Sequence, residues 1–324
     1  MIAGLDIQDV TVRYGRTTAV SEVSLGVAPG EVVALLGASG SGKSTLLRAV
    51  AGLEPLARGV IAWDGEDLAQ TPVHKRGFGL VFQDGQLFPT MTVGKNIAYG
   101  ISKLGRAEQH RRVVDLLDLV GLPGYESRRI TELSGGQAQR VALARSLAPQ
   151  PRALLLDEPL SALDTGLRRR LADDLASILR ATSTTALYVT HDQQEAYAVA
   201  DRVAVLVEAR LLQLDEPDAL RRAPASREVA AFFGAKAFLT EAGARSLNWT
   251  GSLKTGQVLA VLPGSLSLAD DGVEVEVIDQ GYTANEVELG VLLPDGQRAV
   301  VSAPERVDTT TVRVCLVGGA PVPA

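Results

Sequence analysis

In the run Gly37-Ala38-Ser39-Gly40-Ser41-Gly42-Lys43-Ser44-Thr45, the first eight residues fit the pattern G-x-x-x-x-G-K-[ST] in full. Glycines let backbone N–H groups turn inward around two phosphates, and a following helix adds the positive end of its dipole. In that arrangement Lys43 reaches the β- and γ-phosphates of a nucleotide, and the Ser44 hydroxyl ligates magnesium. A second turn, Leu133-Ser134-Gly135-Gly136-Gln137, also aims a hydroxyl and a helix N-terminus at an anion. Alone it reads equally well as a plain N-cap. The run Leu154-Leu155-Leu156 ends in two carboxylates, Asp157 and Glu158, with Asp157 standing 23 residues after Ser134. An acidic residue at the end of a buried strand would hold magnesium beside the phosphates. A phosphate loop by itself leaves kinases, GTPases and motor or transport ATPases open. The Asn-Lys-x-Asp of a GTPase is absent.

The elements that must position these residues follow from the apolar pattern. Val32 to Leu36 reads as a buried strand, entered through Pro29-Gly30 and left through the glycine-rich loop, with a helix from Leu46 to Leu53 beyond it. Ala153 to Leu156, Thr185 to Val189 and Arg202 to Val207 are further buried strands. Strands alternating with amphipathic helices over residues 1 to 234 define an α/β domain. Between about 84 and 150 the texture turns helical: Val113, Leu116, Leu117 and Val120 form one stripe, and a second helix spans Gln137 to Leu147. After Gly234 the pattern changes to short strands, Val258 to Leu262, Val273 to Ile278, Val287 to Leu293, Ala299 to Ser302 and Thr311 to Val317. Residues 235–324 therefore read as a small all-β, barrel-like domain.

Composition sets outer limits. The 324 residues suggest two domains, and 46% apolar with 22% charged residues is the balance of a globular chain that buries a core. The formal charge is −6, the wrong sign for a chain that lives on a phosphate backbone, so nucleic acid is not an expected partner. The lone cysteine, Cys315, excludes a disulfide framework and reads as core filling. The first residues carry no cationic segment followed by an apolar core, so no secretory signal is expected, and the Asn248-Trp249-Thr250 sequon is expected to go unused. No apolar run approaches a membrane span. His74 and His110 read as exposed, and Arg168-Arg169-Arg170 as the solvated face of an amphipathic helix.

In combination, these motifs resemble the nucleotide-binding subunits of ATP-binding cassette (ABC) transporters over residues 1 to 232. Tyr14 stands where that family stacks an aromatic on adenine. Gln83, in Val81-Phe82-Gln83, matches the glutamine that bridges magnesium and the coupling surface. Ser134 to Gln137 match the signature motif, and Asp157 and Glu158 the magnesium-associated aspartate and the catalytic glutamate. Ser161-Ala162-Leu163-Asp164 matches the loop that crosses the dimer interface, and His191, in Val189-Thr190-His191-Asp192, the switch histidine. Ala138 and Glu208-Ala209-Arg210 depart mildly from the family pattern. The resemblance implies a P-loop NTPase fold with a helical subdomain. It also implies ATP and Mg2+ as cofactors, with magnesium held by Ser44, Gln83 and Asp157, and catalysis by Glu158, His191 and Lys43.

The resemblance further implies a head-to-tail homodimer. In it, the phosphate loop of one subunit, Gly37 to Thr45, and Ser134, Gly135, Gly136, Gln137 and Asp164 of the other share each nucleotide. Residues from Gln83 to Asn96 would form the groove for a membrane permease, which places the protein peripherally at the cytoplasmic face of the inner membrane. The C-terminal segment, with Asp279-Gln280-Gly281-Tyr282-Thr283 and Pro294-Asp295-Gly296, resembles the oligonucleotide-binding-like barrel appended to many importer ATPases. That barrel is either a dimer-bracing or spacer domain, the first expectation, or a sensor for solute or regulator. Ninety-one residues separate Lys43 from Ser134, too few for the coiled coil of a chromosome ATPase, and one cassette is present where translation-associated relatives carry two. An exporter subunit is disfavoured by the barrel. Among importers the sequence is similar to those for ferric iron, the first expectation, and for thiamine, polyamines and inorganic anions. The resemblance implies, indirectly, a solute-binding protein as a further partner.

Overall fold

The computed structural model describes residues 3–83, 85–161, 163–282 and 286–324. Asp84, Ala162 and Thr283, each within a segment quoted above, and the first two residues lie outside the described residues. The chain divides into two compact units, Met1–Pro217 and Asp218–Ala324.

The first unit opens with an antiparallel sheet of β1 (Leu5–Tyr14), β2 (Thr17–Val27), β4 (Arg58–Trp63) and β5 (Glu66–Asp67), in the order β2-β1-β4-β5. The apolar pattern does not announce this sheet, because β1 and β2 slip register between Ile7 and Val10 and again on either side of Val12. Each such irregularity breaks the period of two that identifies a half-buried strand. The second sheet holds β3 (Val32–Leu36), β6 (Phe78–Val81), β7 (Ala153–Asp157), β8 (Ala186–Thr190), β9 (Arg202–Val207) and β10 (Arg210–Asp215), ordered β10-β9-β3-β8-β7-β6. All neighbours run parallel except β10, which pairs antiparallel with β9. Every residue of β3, β7 and β8 is buried, as expected for central strands covered on both faces.

Helix α1 (Lys43–Ala51) follows β3 and seals one face with Leu46, Leu47 and Val50. Between β6 and β7 lie α2 (Val93–Ala98), α3 (Arg106–Leu119) and α4 (Gly135–Leu147). Buried Asn96 pins the approach to this helical region, accepting from Phe88 N and donating to the Phe88 and Thr92 carbonyls. Helices α5 (Thr165–Ala181) and α6 (Gln193–Val199) follow β7 and β8.

The second unit carries α7 (Pro217–Arg222) at its edge, then α8 (Arg227–Phe232), β11 (Ala237–Leu239), α9 (Glu241–Arg245) and β12 (Gln257–Val261). It continues with β13 (Leu266–Tyr282), β14 (Val287–Leu292), β15 (Arg298–Ala303), β16 (Thr311–Leu316) and β17 (Ala320–Pro323). The antiparallel sheets β11-β12-β17 and β15-β14-β13-β16 share a core built from Leu239, Leu259, Val275, Leu289, Val301 and Val314. Strand β13 starts earlier than its Val273-to-Ile278 alternation indicates. Leu268 and Val273 both pair with Val314, so the intervening Ala269-Asp270-Asp271-Gly272 is a bulge inside one strand. Cys315 is not core filling: it is half-buried, on the face opposite Val314 and Leu316, and its sulfur lies 3.7 Å from Asn248 Nδ2. His74 and His110 are exposed.

Candidate functional site

The C-terminal ends of parallel strands β3, β7 and β8 lie side by side, which is where open α/β sheets gather ligand-binding groups. β3 runs into the glycine loop, and two of its glycines are required by contact. A Cβ on Gly37 would stand 2.2 Å from Leu206 O, and one on Gly42, at φ +98°, would stand 2.2 Å from Ala19 O. Between them Ala38, Ser39 and Gly40 are exposed. Ser41 is buried, and its Oγ has no hydrogen-bond partner. An orphaned buried hydroxyl between two glycines that no Cβ could replace fits an oxyanion. Lys43 is only 4% exposed and donates to the carbonyls of Gly37 (2.8 Å) and Ala38 (2.9 Å). Burial lowers its pKa from the ordinary value, while the carboxylates of Glu158 and Asp157 pull the other way.

Ser44 Oγ donates to Asp157 Oδ1 at 2.6 Å, joining the first turn of α1 to the last residue of β7. Arg48, one turn further along α1, approaches Asp157 Oδ2 to 3.8 Å. Sequence reasoning did not single out Arg48, although its place one turn beyond Ser44 on the helix gives it away. Glu158 follows Asp157 in the left-handed region at φ +45°, a conformation that costs a non-glycine residue on the order of 1 kcal/mol. This turn, closed by Glu158 N donating to Val189 O, takes the carboxylate off the strand axis. Glu158 Oε2 lies 3.2 Å from His191 Nδ1, and the imidazole stands at the end of β8 with 45% of its side chain exposed.

The structure thus links Lys43, Ser44, Asp157, Glu158 and His191. Tyr14 ends β1, exposed; desolvation first and Glu54 second raise its pKa. Gln83 is exposed beyond the end of β6, the parallel neighbour of β7. Ser134 and Gln137 form a capping box on α4: Ser134 Oγ accepts from Gln137 N, and Gln137 Oε1 accepts from Ser134 N at 3.0 Å. Ser134 and Gly135 are exposed, whereas Gly136 is buried where a Cβ would press on Leu167 and Leu171. Asp164 caps α5, accepting from Leu167 N at 3.0 Å. Among the described residues, no hydrogen bond or ion pair within the chain joins Ser134–Gln137 or Asp164 to the phosphate loop.

A family model described as ABC transporter matches residues 20–161. The chain is 46% identical over 298 residues, 88% of its length, to the Fe(3+) ions import ATP-binding protein FbpC of Streptomyces avermitilis, covering 86% of that relative. It is 42% identical over 312 residues to the sulfate/thiosulfate import ATP-binding protein CysA of Caulobacter vibrioides, with 92% of each chain covered. Among solved structures, cbiO1 of Clostridium perfringens, part of the ABC transporter complex cbiONQ, superposes with a TM-score of 0.64 at 29% identity, over 68% of this chain and 91% of that one. The chain belongs to the ABC transporter family and is an ATPase subunit of its importers. Such a subunit works with membrane permease partners, and no helix among the described residues is long and apolar enough to cross a membrane.

Proposed function

We propose that two copies of the chain face each other head to tail, closing on two ATP molecules at the cytoplasmic face of the membrane. Each nucleotide takes the phosphate loop, Gly37 to Thr45, and Tyr14 from one copy, and Ser134, Gly135, Gly136 and Gln137 from the other, with Asp164 at the junction. The capping box supports this reading. It fixes the start of α4 with Ser134 and Gly135 exposed, and the Ser134 hydroxyl, which accepts from Gln137 N, keeps its O–H to donate to a phosphate of the facing nucleotide. Lys43 swings from the Gly37 and Ala38 carbonyls to the β- and γ-phosphates.

Magnesium fits the oxygen donors present: the Ser44 hydroxyl and Asp157 carboxylate, 2.6 Å apart, would hold it, with Gln83 as a further donor. When bound it neutralises charge on the phosphate oxygens. Glu158 accepts the proton of the attacking water as its oxygen bonds to the γ-phosphorus and the bond to ADP breaks. His191 orients Glu158 and the γ-phosphate. The observation that carries this assignment is the Glu158–His191 contact, held by a left-handed residue directly after Asp157.

The shared site is tested with Lys43→Ala and Ser134→Arg subunits. Each homodimer has two damaged sites, whereas the mixed dimer has one intact site and regains single-turnover cleavage. Mixed dimers, verified by two affinity tags, that stay at homodimer levels overturn the shared site. For the solute, ferric iron delivered by a solute-binding protein is the reading we favour, on the strength of the Fe(3+) import relatives. The CysA relatives support sulfate as the second reading. Uptake of labelled ferric iron and labelled sulfate in a strain lacking this chain separates them.

A further inference from the structure

The arginine triplet at the start of α5 is not one solvated face. Arg169 and Arg170 are exposed, but the Arg168 side chain is only 20% exposed and is enclosed between two loops. Its Nη2 donates to Leu163 O at 2.9 Å and to Ser161 O at 3.4 Å, gripping the loop that precedes α5. The opposite edge of the guanidinium faces two carboxylates, with Nη1 3.5 Å from Asp192 Oδ2 and Nε 3.5 Å from Glu195 Oε1. Charge-assisted bonds of this type close to about 2.8 Å. At 3.5 Å the buried Nε makes no hydrogen bond. A cavity of about 270 Å³ beside Arg168, Asp192 and Glu195 leaves these groups room to move together.

Both carboxylates are tied to the residues that flank His191. Glu195 is 5% exposed, and its Oε2 accepts from Tyr188 Oη and Thr190 Oγ1, each at 2.8 Å. Asp192 caps α6 through the Gln194 and Glu195 N–H groups, and its own N–H donates to Thr190 Oγ1 at 3.0 Å. The neighbours of His191 on both sides, Thr190 and Asp192, therefore belong to one network. On the far side, Ser161 Oγ donates to Glu158 O at 2.9 Å, and Glu158 meets His191. The contacts form a ring: Glu158, Ser161, Arg168, Asp192, His191 and back to Glu158. Arg168 is the member that makes one short bond, to Leu163 O, and longer contacts to Ser161 O and to the two carboxylates at the start of α6.

We infer that Arg168 is a positioning residue for hydrolysis, transmitting displacement of Ser161 and Leu163 to His191 through Asp192 and Glu195. The inference rests on the reading of Glu158 and His191 as the hydrolytic pair. A planar fork is needed to hold two carbonyls and two carboxylates at once, which an ammonium cannot do. Without the guanidinium, buried Glu195 keeps only neutral donors.

The test is steady-state MgATP hydrolysis by the full chain, with binding of a fluorescent ATP analogue and thermal melting measured in parallel. Arg168→Gln and Arg168→Lys are expected to lower kcat about tenfold or more, with KM and nucleotide affinity staying within about twofold. A merely structural role would lower melting temperature and affinity together with kcat. Folded Arg168→Gln with kcat within about twofold of the unaltered chain overturns the inference, and so does a kcat loss matched by an equal affinity loss. Glu195→Gln, nearly isosteric and still an acceptor for Tyr188 and Thr190, carries the test if Arg168→Gln does not fold. Unchanged kcat in that variant also overturns the inference. Normal turnover in Glu158→Gln, whatever Arg168 does, would instead remove the underlying assignment of the hydrolytic pair.

Discussion

The two units bury their strands differently. In the six-stranded sheet of the first unit, β3, β7 and β8 are buried at every residue, and their ends carry Gly37, Asp157 and His191 into adjacent loops. In the second unit, strands such as β15 alternate between buried and exposed residues over a core of Leu289, Val291, Val301 and Val314. Two of its half-buried polar side chains serve the backbone. Gln280 exchanges hydrogen bonds with both backbone groups of Val307, and Gln297 does the same with Phe238. A sheet buried on both faces fixes the positions of its strand ends, so several loops can be aimed at one ligand. A half-exposed sheet needs its polar groups to hold its own connections, and gathers none of this density of charge.

The largest effect that would sharpen this contrast is chemical. Glu158→Gln is expected to cut kcat by about 10³-fold, with ATP binding retained, because general-base contributions are of this order. Leu289→Ala in the second unit should leave kcat within about twofold. Turnover that collapses equally in both variants would break the comparison.

Next in size are core truncations. Leu155→Ala and Leu289→Ala each remove a side chain that is 0% exposed, and each should cost about 2–5 kcal/mol in urea unfolding. Only Leu155→Ala, beneath the Asp157–Glu158 turn, should also weaken ATP binding.

A smaller effect concerns alkaline stability. Burial first, then Glu195, pushes the Tyr188 phenol well above its ordinary pKa of 10.0. Below that value both folded and unfolded states hold the proton. As pH rises past it, the unfolded chain ionises first, and stability falls until the folded pKa is reached. Tyr188→Phe should flatten this alkaline loss, as read by urea titrations at neutral and high pH; an unchanged slope would show that other groups carry it. The smallest expected effect is Cys315→Ser, within about 0.5 kcal/mol, since the thiol is half-buried and makes one weak contact with Asn248.

Much of the first unit was legible because its motifs are short, contiguous and sit on strands without irregularities. The Val32–Leu36 strand and its loop are one uninterrupted stretch, and the structure reproduces that strand residue for residue. The β2-β1-β4-β5 sheet was not legible, because its register shifts scramble the period. The solvated reading of Arg168 failed for another reason. Helical periodicity places Arg168 beside exposed neighbours, but says nothing of the carboxylates that a later helix, α6, brings against it. Cys315 and the start of β13 went the same way, each decided by the strand opposite.

The sequence by itself determined the alternation of strands and helices, the change of texture in the second half, the phosphate loop and the membership of an ABC family. These depend on residue type and local spacing, which the chain carries in linear order. Only the tertiary structure decided which distant residues meet: Ser44 with Asp157, Glu158 with His191, Arg48 with Asp157, and Arg168 with Asp192 and Glu195. Those pairings arise because parallel strands far apart in the chain end side by side. Whether a charge is solvated or enclosed is set by the neighbour that the fold delivers, and local pattern holds no record of it.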